Sequence, residues 1–407
     1  MNTNDPSVNN TSHDDISNNN NNVKVVGRGG YGCVIKPALS NRAEGTSKWT
    51  HYPKHVTKLF FTRKNMKKAY NDSRHMYELL GHNKGHKTYK YKHTFTTSNL
   101  PSNVVEKCKK LRRESPLYPL RLRDLGYDIW SVPRHYKLYR TIPVGTFLDQ
   151  ILKLMTQIQR LIGRRMIHGD VRETNLMVNP SSGDMTMIDF DLLNRVDTFF
   201  ETAYLGFYCH PPETFLYQHF KSLLEATRDR NEGAVDAIFA SEDISKRMDK
   251  YVELHSELKI ADPKSLHRSF SKADLIASLK DTLGLYAAHL DPSASNTFLQ
   301  AALRETLLPS FDGYGLAFSL LDFLAHVYPS VLLRVQKSKY DAILQSRISN
   351  NHSPYSKKQI RTIRTSLHTL VFDVLGPMTS LRIQDRMNVE TAVNETRAIV
   401  AEFHESM

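Results

Sequence analysis

Three oxygen-bearing side chains, Asp170, Asn175 and Asp189, stand close together in IHGDVRETNLMVNPSSGDMTMIDFDLL, residues 167–193. Two carboxylates and an amide carbonyl so spaced suit phosphoryl transfer. That reaction needs a divalent metal to neutralise phosphate charge and a group to receive the acceptor hydroxyl's proton. Mg²⁺ prefers hard oxygen ligands, one or two from the protein and the rest from phosphate and water. Asn175 and Asp189 qualify as metal ligands, and Asp170 as the proton acceptor. A strand–loop–strand turning at NPSSGD, residues 179–184, would bring Asp170 and Asp189 together. Asp and Asn are also ordinary turn residues, so this stretch alone is equally compatible with loop capping.

A second set of residues lies upstream. Gly27, Gly29 and Gly32 in GRGGYGCV follow G-x-G-x-x-G, with Gly30 beside them and Val34 two residues beyond. Strand-forming residues flank the glycines on both sides, which fits a hairpin over phosphates better than a strand-to-helix dinucleotide turn. Glycines let backbone amides approach phosphate oxygens without side-chain obstruction. Lys58, in the β-rich run HVTKLFF, can grip phosphate as a point charge, although a strand lysine is ordinarily a solvated one. Glu78 follows on the helix-patterned stretch 64–80, within reach of pairing with Lys58.

The elements that must carry these groups follow from composition and periodicity. Residues 1–22 are dominated by Asn, Asp and Ser and read as a disordered tail. Order begins at VKVVGRGGYGCVIKPAL as strand, turn, strand. Residues 82–123 are rich in Lys, Arg, His and Tyr and read as a solvated insertion or loop; interleaved basic and aromatic residues make a nucleic-acid or membrane patch the alternative. FLDQILKLMTQIQRLIGRRM, 147–166, is helical, with its apolar stripe in the core, and leads straight into the first site. Residues 214–311 look helical and charged, and 313–335 is apolar enough for a central buried helix.

The chain has 407 residues, 40% hydrophobic and 24% charged, with a net charge of +13. That length allows two or three domains or lobes, and the charge favours anionic partners without choosing one. Cys33, Cys108 and Cys209 show no metal-ligand spacing and cannot all pair, which points to a reducing, cytoplasmic setting. No apolar run is long enough for a membrane span, and no signal peptide is expected.

Taken in order, these motifs resemble the eukaryotic-type protein-kinase superfamily. The resemblance implies a glycine loop at Gly27–Val34, an ATP-anchoring Lys58 with Glu78 as partner, and a catalytic loop HGDVRETN. It makes Asp170 the base, Arg172 the phosphate-contacting cation, and Asn175 and Asp189 the Mg²⁺ ligands. Glu213 in HPPE is similar to the end of the activation segment, and Arg386 resembles its arginine partner. DGYGLAFSLL, led by Asp312, resembles the central helix of the large lobe. The Asn-rich head, GGYGCVIKPAL and the PPE ending are also similar to serine/threonine kinases of large nucleocytoplasmic DNA viruses, which implies a host-cytoplasmic or virion protein.

The implied fold is α+β and two-lobed: a β-rich N-lobe at 23–140 and a larger helical C-lobe at 141–407. ATP and Mg²⁺ are expected between the lobes, with protein hydroxyls as substrates. Residues 214–311 are expected to be a helical insertion, separable from the chemistry, that modulates substrates or partners. Three departures qualify the match. Gly169 replaces the usual arginine of the catalytic loop, Asp191 replaces the glycine of D-F-G, and no threonine stands where serine/threonine kinases usually have one near Gly206. HGD with IDFD is instead similar to aminoglycoside and choline kinases, which phosphorylate small hydroxyl substrates. A catalytically dead interaction module is the third reading.

Overall fold

The computed structural model describes residues 23–28, 32–39, 51–52, 54–80, 89–91, 94–96, 100–108, 116–131, 142–202, 209–256, 271–328 and 356–407. The tail expected at 1–22, together with Gly29 and Gly30, lies outside them. The chain divides into two compact units, 1–124 and 125–407. The first is built on an antiparallel sheet and the second is mainly helical, so the architecture is α+β.

In the N-terminal unit, β1 (Lys24–Arg28), β2 (Gly32–Lys36), β5 (His55–Phe60), β7 (Tyr118–Arg123) and β6 (Tyr89–Lys90) form one sheet in that order. The short pair β3 (Ala38–Leu39) and β4 (His51–Tyr52) lies beside it in sequence. Period-two alternation assigns the faces. Cys33 and Ile35 of β2 and Leu59 of β5 are buried in one core with Val23, Phe95, Val104 and Leu117. On the other face, Phe60 and Leu120 meet Ala69, Met66 and Tyr70 of α1 (Arg63–Leu80).

The loop expected at 82–123 is corrected here. Its end is β7, paired with β5 at all six positions, and α2 (Ser102–Lys107) buries Val104. Arginines hid the strand pattern: Arg121 lays its guanidinium 4.1 Å from the centre of the Tyr52 ring, and such side chains bury their stems while keeping the charge wet. The cysteine reading is corrected as well, because Cys33 and Cys108 form a disulfide while Cys209 is a buried free thiol.

The C-terminal unit opens with β8 (Tyr127–Asp128), followed by α3 (Val144–Gly163). Phe147, Ile151, Leu154, Met155, Ile158 and Leu161 of α3 are fully buried at helical spacing. Next come β9 (Met166–Ile167), β10 (Leu176–Val178), β11 (Met185–Met187) and β12 (Asn194–Arg195). β10 and β11 pair antiparallel across the 179–184 turn that the spacing predicts, and Gly183 there has φ of +76°.

Then follow α4 (Val196–Thr202), α5 (Phe220–Arg228), α6 (Glu232–Phe239), α7 (Glu242–Ser256), α8 (Lys272–His289), α9 (Asn296–Leu307) and α10 (Phe311–Val327). The unit ends with α11 (Lys357–Thr369), which runs into a π-turn at Leu370–Leu375, and α12 (Val389–Ser406). Among the described residues, no helix is long and apolar enough to cross a membrane.

The segment expected to be a separable insertion, 214–311, packs into the core of this unit. Leu223 and Leu224 of α5, Leu275, Leu279 and Leu283 of α8, and Leu299, Leu303 and Leu307 of α9 share one core with Phe199, Phe200, Phe311 and Tyr314. In α8 and α9 these leucines recur every four residues, so each helix turns an apolar stripe inward.

Candidate active site

A short loop after β9 carries the proposed chemistry, and its backbone is held from several directions. Asp312, in the first turn of α10, accepts from the amides of His168 at 2.7 Å and Gly169 at 2.9 Å. This carboxyl is only 3% exposed, and burial raises its pKa. His168 is fully buried; its Nε2–H donates to the Ile188 carbonyl at 3.1 Å, leaving Nδ1 to accept from the Asp170 amide at 3.3 Å. From the other side, the Nε2–H of His210 donates to the Gly169 carbonyl at 3.0 Å.

Gly169 itself answers to a neighbour. Its φ is +76°, a left-handed conformation, and a Cβ there would sit 2.0 Å from Cε2 of Phe199. Phe199 thus closes against this backbone, and no side chain fits.

The loop brings Asp170, Arg172 and Asn175 together. Asp170 Oδ1 lies 3.0 Å from Arg172 Nε, and its Oδ2 accepts from Asn175 Nδ2 at 2.7 Å. The same Nδ2 donates to the Asp170 carbonyl at 2.9 Å. Burial raises the Asp170 pKa, opposed by Arg172, His168 and the Asn175 hydrogen bond and reinforced by the nearby Asp189 carboxylate. Asp189, at the end of the β10–β11 hairpin, is exposed and adopts φ 63°, ψ 59°. Such backbone in a non-glycine residue costs of order 1 kcal/mol and collects at functional sites.

The donor set fits Mg²⁺. Asn175 commits its amide nitrogen to Asp170, so its carbonyl oxygen is the atom it can offer a metal. With the Asp189 carboxylate this makes two hard oxygens, as many as Mg²⁺ usually takes from protein. Among the described residues, no three His, Cys, Asp or Glu side chains gather in a way that could hold a metal ion.

Behind the loop lies a buried ion pair. Arg386 reaches Glu213 through both terminal guanidinium nitrogens, at 2.8 and 2.9 Å, and the two side chains are 1% and 0% exposed. The Arg386 guanidinium also lies 5.3 Å from the centre of the Tyr314 ring. The Tyr314 hydroxyl meets that of Tyr251 at 2.6 Å, and Tyr251 donates to the His210 carbonyl at 3.2 Å. Sequence reasoning missed Phe199, His210 and Tyr251. Of these, only His210 carried a signal, through its place beside Pro211 and Pro212 in HPPE.

In the N-terminal unit, Gly27 pairs with Val34 across the β1–β2 hairpin, and Gly32 opposes Phe60. A Cβ on Gly32 would lie 1.7 Å from the Leu59 carbonyl oxygen, so close strand approach by itself demands glycine there. Half-buried Lys58 pairs with Val34 on one side and Leu120 on the other, its Nζ 5.2 Å from the centre of the Phe60 ring. Glu78 lies in α1 as the pattern predicts, but its side chain, and with it the expected pairing with Lys58, falls outside the described residues.

No protein-family model matches the chain, and no curated protein is significantly similar to it.

His210 makes the loop's support sensitive to acid. Burial, with Arg172 and Arg247 pushing the same way, lowers its pKa from the ordinary 6.5 to about 4. Between those values the unfolded chain binds a proton that the folded chain refuses. This stability is therefore complete above about pH 6.5 and is lost as pH falls toward 4. His210→Gln keeps a donor for the Gly169 carbonyl and removes the titration. Comparing denaturant unfolding at pH 7 and pH 4.5, the variant should lose about 2 kcal/mol less than the parent. Equal losses would show that His210 does not titrate this way.

Proposed function

We propose that the chain is an ATP-dependent protein kinase that transfers the γ-phosphoryl of ATP to serine or threonine hydroxyls. The observation that supports this best is the loop itself: Asp170 held by Arg172 and Asn175, on a backbone tied to Asp312. A carboxylate fixed at two points is an oriented one, and orientation is what general-base work requires.

In this reading Asp170 receives the proton of the acceptor hydroxyl. Arg172 stabilises charge on the transferring phosphoryl, as preorganised cations do. Asn175 and Asp189 would hold Mg²⁺, which supplies neutralisation of phosphate charge when bound. Lys58, with Glu78 as its partner, and the backbone of Gly27–Val34 grip the phosphates. Arg172 standing two residues after Asp170 favours serine or threonine acceptors.

The test is purified chain with labelled ATP, a generic basic protein and a panel of small alcohols. Label on the protein is expected. Label on the alcohols alone would favour a small-molecule phosphotransferase, and no label with no ATP bound would favour an interaction module. Asp189→Asn should weaken Mg²⁺-dependent nucleotide affinity by at least about tenfold, the scale on which even outer partners of a metal act. Calorimetric titrations with and without Mg²⁺ check this, and an unchanged metal dependence refutes the ligand role.

Gly169 bears on regulation. In kinases with an arginine at this place, a phosphate on the activation segment pairs with that cation and orders the segment. Here the position has no side chain and Phe199 closes over it. Between Asp189 and Glu213 the hydroxyls are Thr198, Thr202, Tyr204 and Tyr208, with no serine. Activity should therefore not depend on phosphorylation of this segment. Phosphatase-treated parent and Thr198→Ala/Thr202→Ala protein should both keep turnover within about tenfold, some 1.4 kcal/mol in the barrier. A larger loss in either contradicts it.

A further inference from the structure

The N-terminal unit contains a covalent link that the proposed chemistry does not use. Cys33 and Cys108 form a disulfide with Cα atoms 6.3 Å apart, closing a sequence separation of 75 residues. Cys33 follows Gly32 in β2, the second strand of the glycine hairpin, and Cys108 caps the C-terminus of α2. Both are buried, at 3% and 1% exposure, in one core with Ile35, Leu59 and Val104. At its other end α2 reaches the start of β1, where Asn103 Nδ2 donates to the Val23 carbonyl at 2.8 Å.

The hairpin needs such an anchor. In the sheet order β1-β2-β5-β7-β6, β1 is, among the described residues, an edge strand whose ladder is to β2. That ladder slips register between Val25 and Gly27, and the Val26 side chain is 53% exposed. An edge strand with a bulge and glycines has little to oppose local opening. The disulfide fastens β2 to α2, in addition to the ladder that joins β2 to β5. Breaking it frees a long closed loop, and the opened states gain that freedom.

We propose that Cys33 and Cys108 are a redox modification site that controls the order of the β1–β2 hairpin and, through it, the grip on nucleotide; the second clause rests on the kinase reading. The oxidant class is a small disulfide such as glutathione disulfide. One cysteine thiolate attacks it, forming a mixed disulfide and releasing one glutathione thiolate. The other cysteine thiolate then displaces the second glutathione. Two protein thiols lose two electrons and two protons, and one glutathione disulfide becomes two thiols. Buried Cys209, in the other unit, takes no part and serves as an internal control.

The experiment uses the full chain equilibrated in glutathione buffers from fully oxidised to fully reduced. Three readouts are taken: mass spectrometry after alkylation in denaturant, hydrogen exchange over Lys24–Lys36, and affinity for ATP with Mg²⁺. In the oxidised buffer Cys209 alone should be alkylated. Reduction should speed hairpin exchange by about tenfold or more and weaken ATP binding by a similar factor. Cys33→Ala/Cys108→Ala should match the reduced parent in every buffer. Alkylation of all three thiols in oxidised buffer, or hairpin exchange that is the same in both forms, would overturn the proposal. If exchange changes on reduction while neither form binds ATP, the redox site is upheld and the nucleotide reading fails instead.

Discussion

Asp170→Asn should lower phosphoryl transfer by roughly 10²–10⁴-fold, the usual contribution of a positioned acid–base group. The substitution is nearly isosteric, but the amide keeps one accepting oxygen, so it can accept from Arg172 or from Asn175 and not from both. The Asn175 hydrogen bond to the residue 170 carbonyl still holds the loop. The ability to take a proton is removed together with one of the two side-chain contacts. Nucleotide affinity should change little, because Asp170 serves the acceptor hydroxyl. Stability separates this expectation from simple damage. Burial raises the Asp170 pKa, so its ionised form costs the folded state stability once pH rises through that pKa. The variant should therefore be no less stable than the parent at pH 7, with any gain shrinking in acid. Single-turnover assays beside thermal melts check both halves. Near-normal turnover would mean that another group takes the proton.

Arg386→Ala should destabilise the C-terminal unit by about 3–5 kcal/mol, the cost of leaving a buried charge without its partner. The abandoned group is Glu213, with 0% of its side chain exposed and both oxygens engaged by Arg386. Replacing both members by residues of similar shape without charge, Glu213→Gln with Arg386→Met, should recover much of the loss, because the pair's attraction is offset by its desolvation. The difference between single and double variants is the measurement, taken by denaturant unfolding of the full chain. A single variant within about 1 kcal/mol of the parent would show that water or another cation reaches Glu213. Activity in the double variant reports separately on whether the pair positions the loop, through the Tyr314, Tyr251 and His210 contacts.

Much of this architecture was legible in local patterns. The apolar stripe of α3, the β10–β11 hairpin with its turn at 179–184, the strands around the glycine cluster and the helix carrying Glu78 all follow from periodicity and turn residues. These features depend on neighbours a few residues apart, which a linear chain records directly. The ordered set of Asp170, Asn175, Asp189, Glu213, Asp312 and Arg386 was visible as well, because its order along the chain resembles that of kinase motifs although no single member is unusual. The pairing of Glu213 with Arg386 is the long-range contact that this order implied, and it is present.

Tertiary structure decided what periodicity cannot encode, namely which faces meet. Asp312 clamps the amides of His168 and Gly169 from more than 140 residues away, and Phe199 explains why position 169 tolerates only glycine. The 214–311 helices read as an insertion because the kinase resemblance has no counterpart for so long a stretch between Glu213 and Asp312, yet their inward leucines share the core of Phe311. β7 read as loop because arginines interrupt its alternation, yet hydrogen bonding to β5 makes it an interior strand. Cys33 and Cys108 offered no spacing to interpret, since a disulfide depends on the meeting of two Cβ atoms in space and not on their distance along the chain. In each case the sequence by itself determined the local element and its chemistry, while the fold chose the partner, because burial energy is earned by surfaces brought together from distant segments.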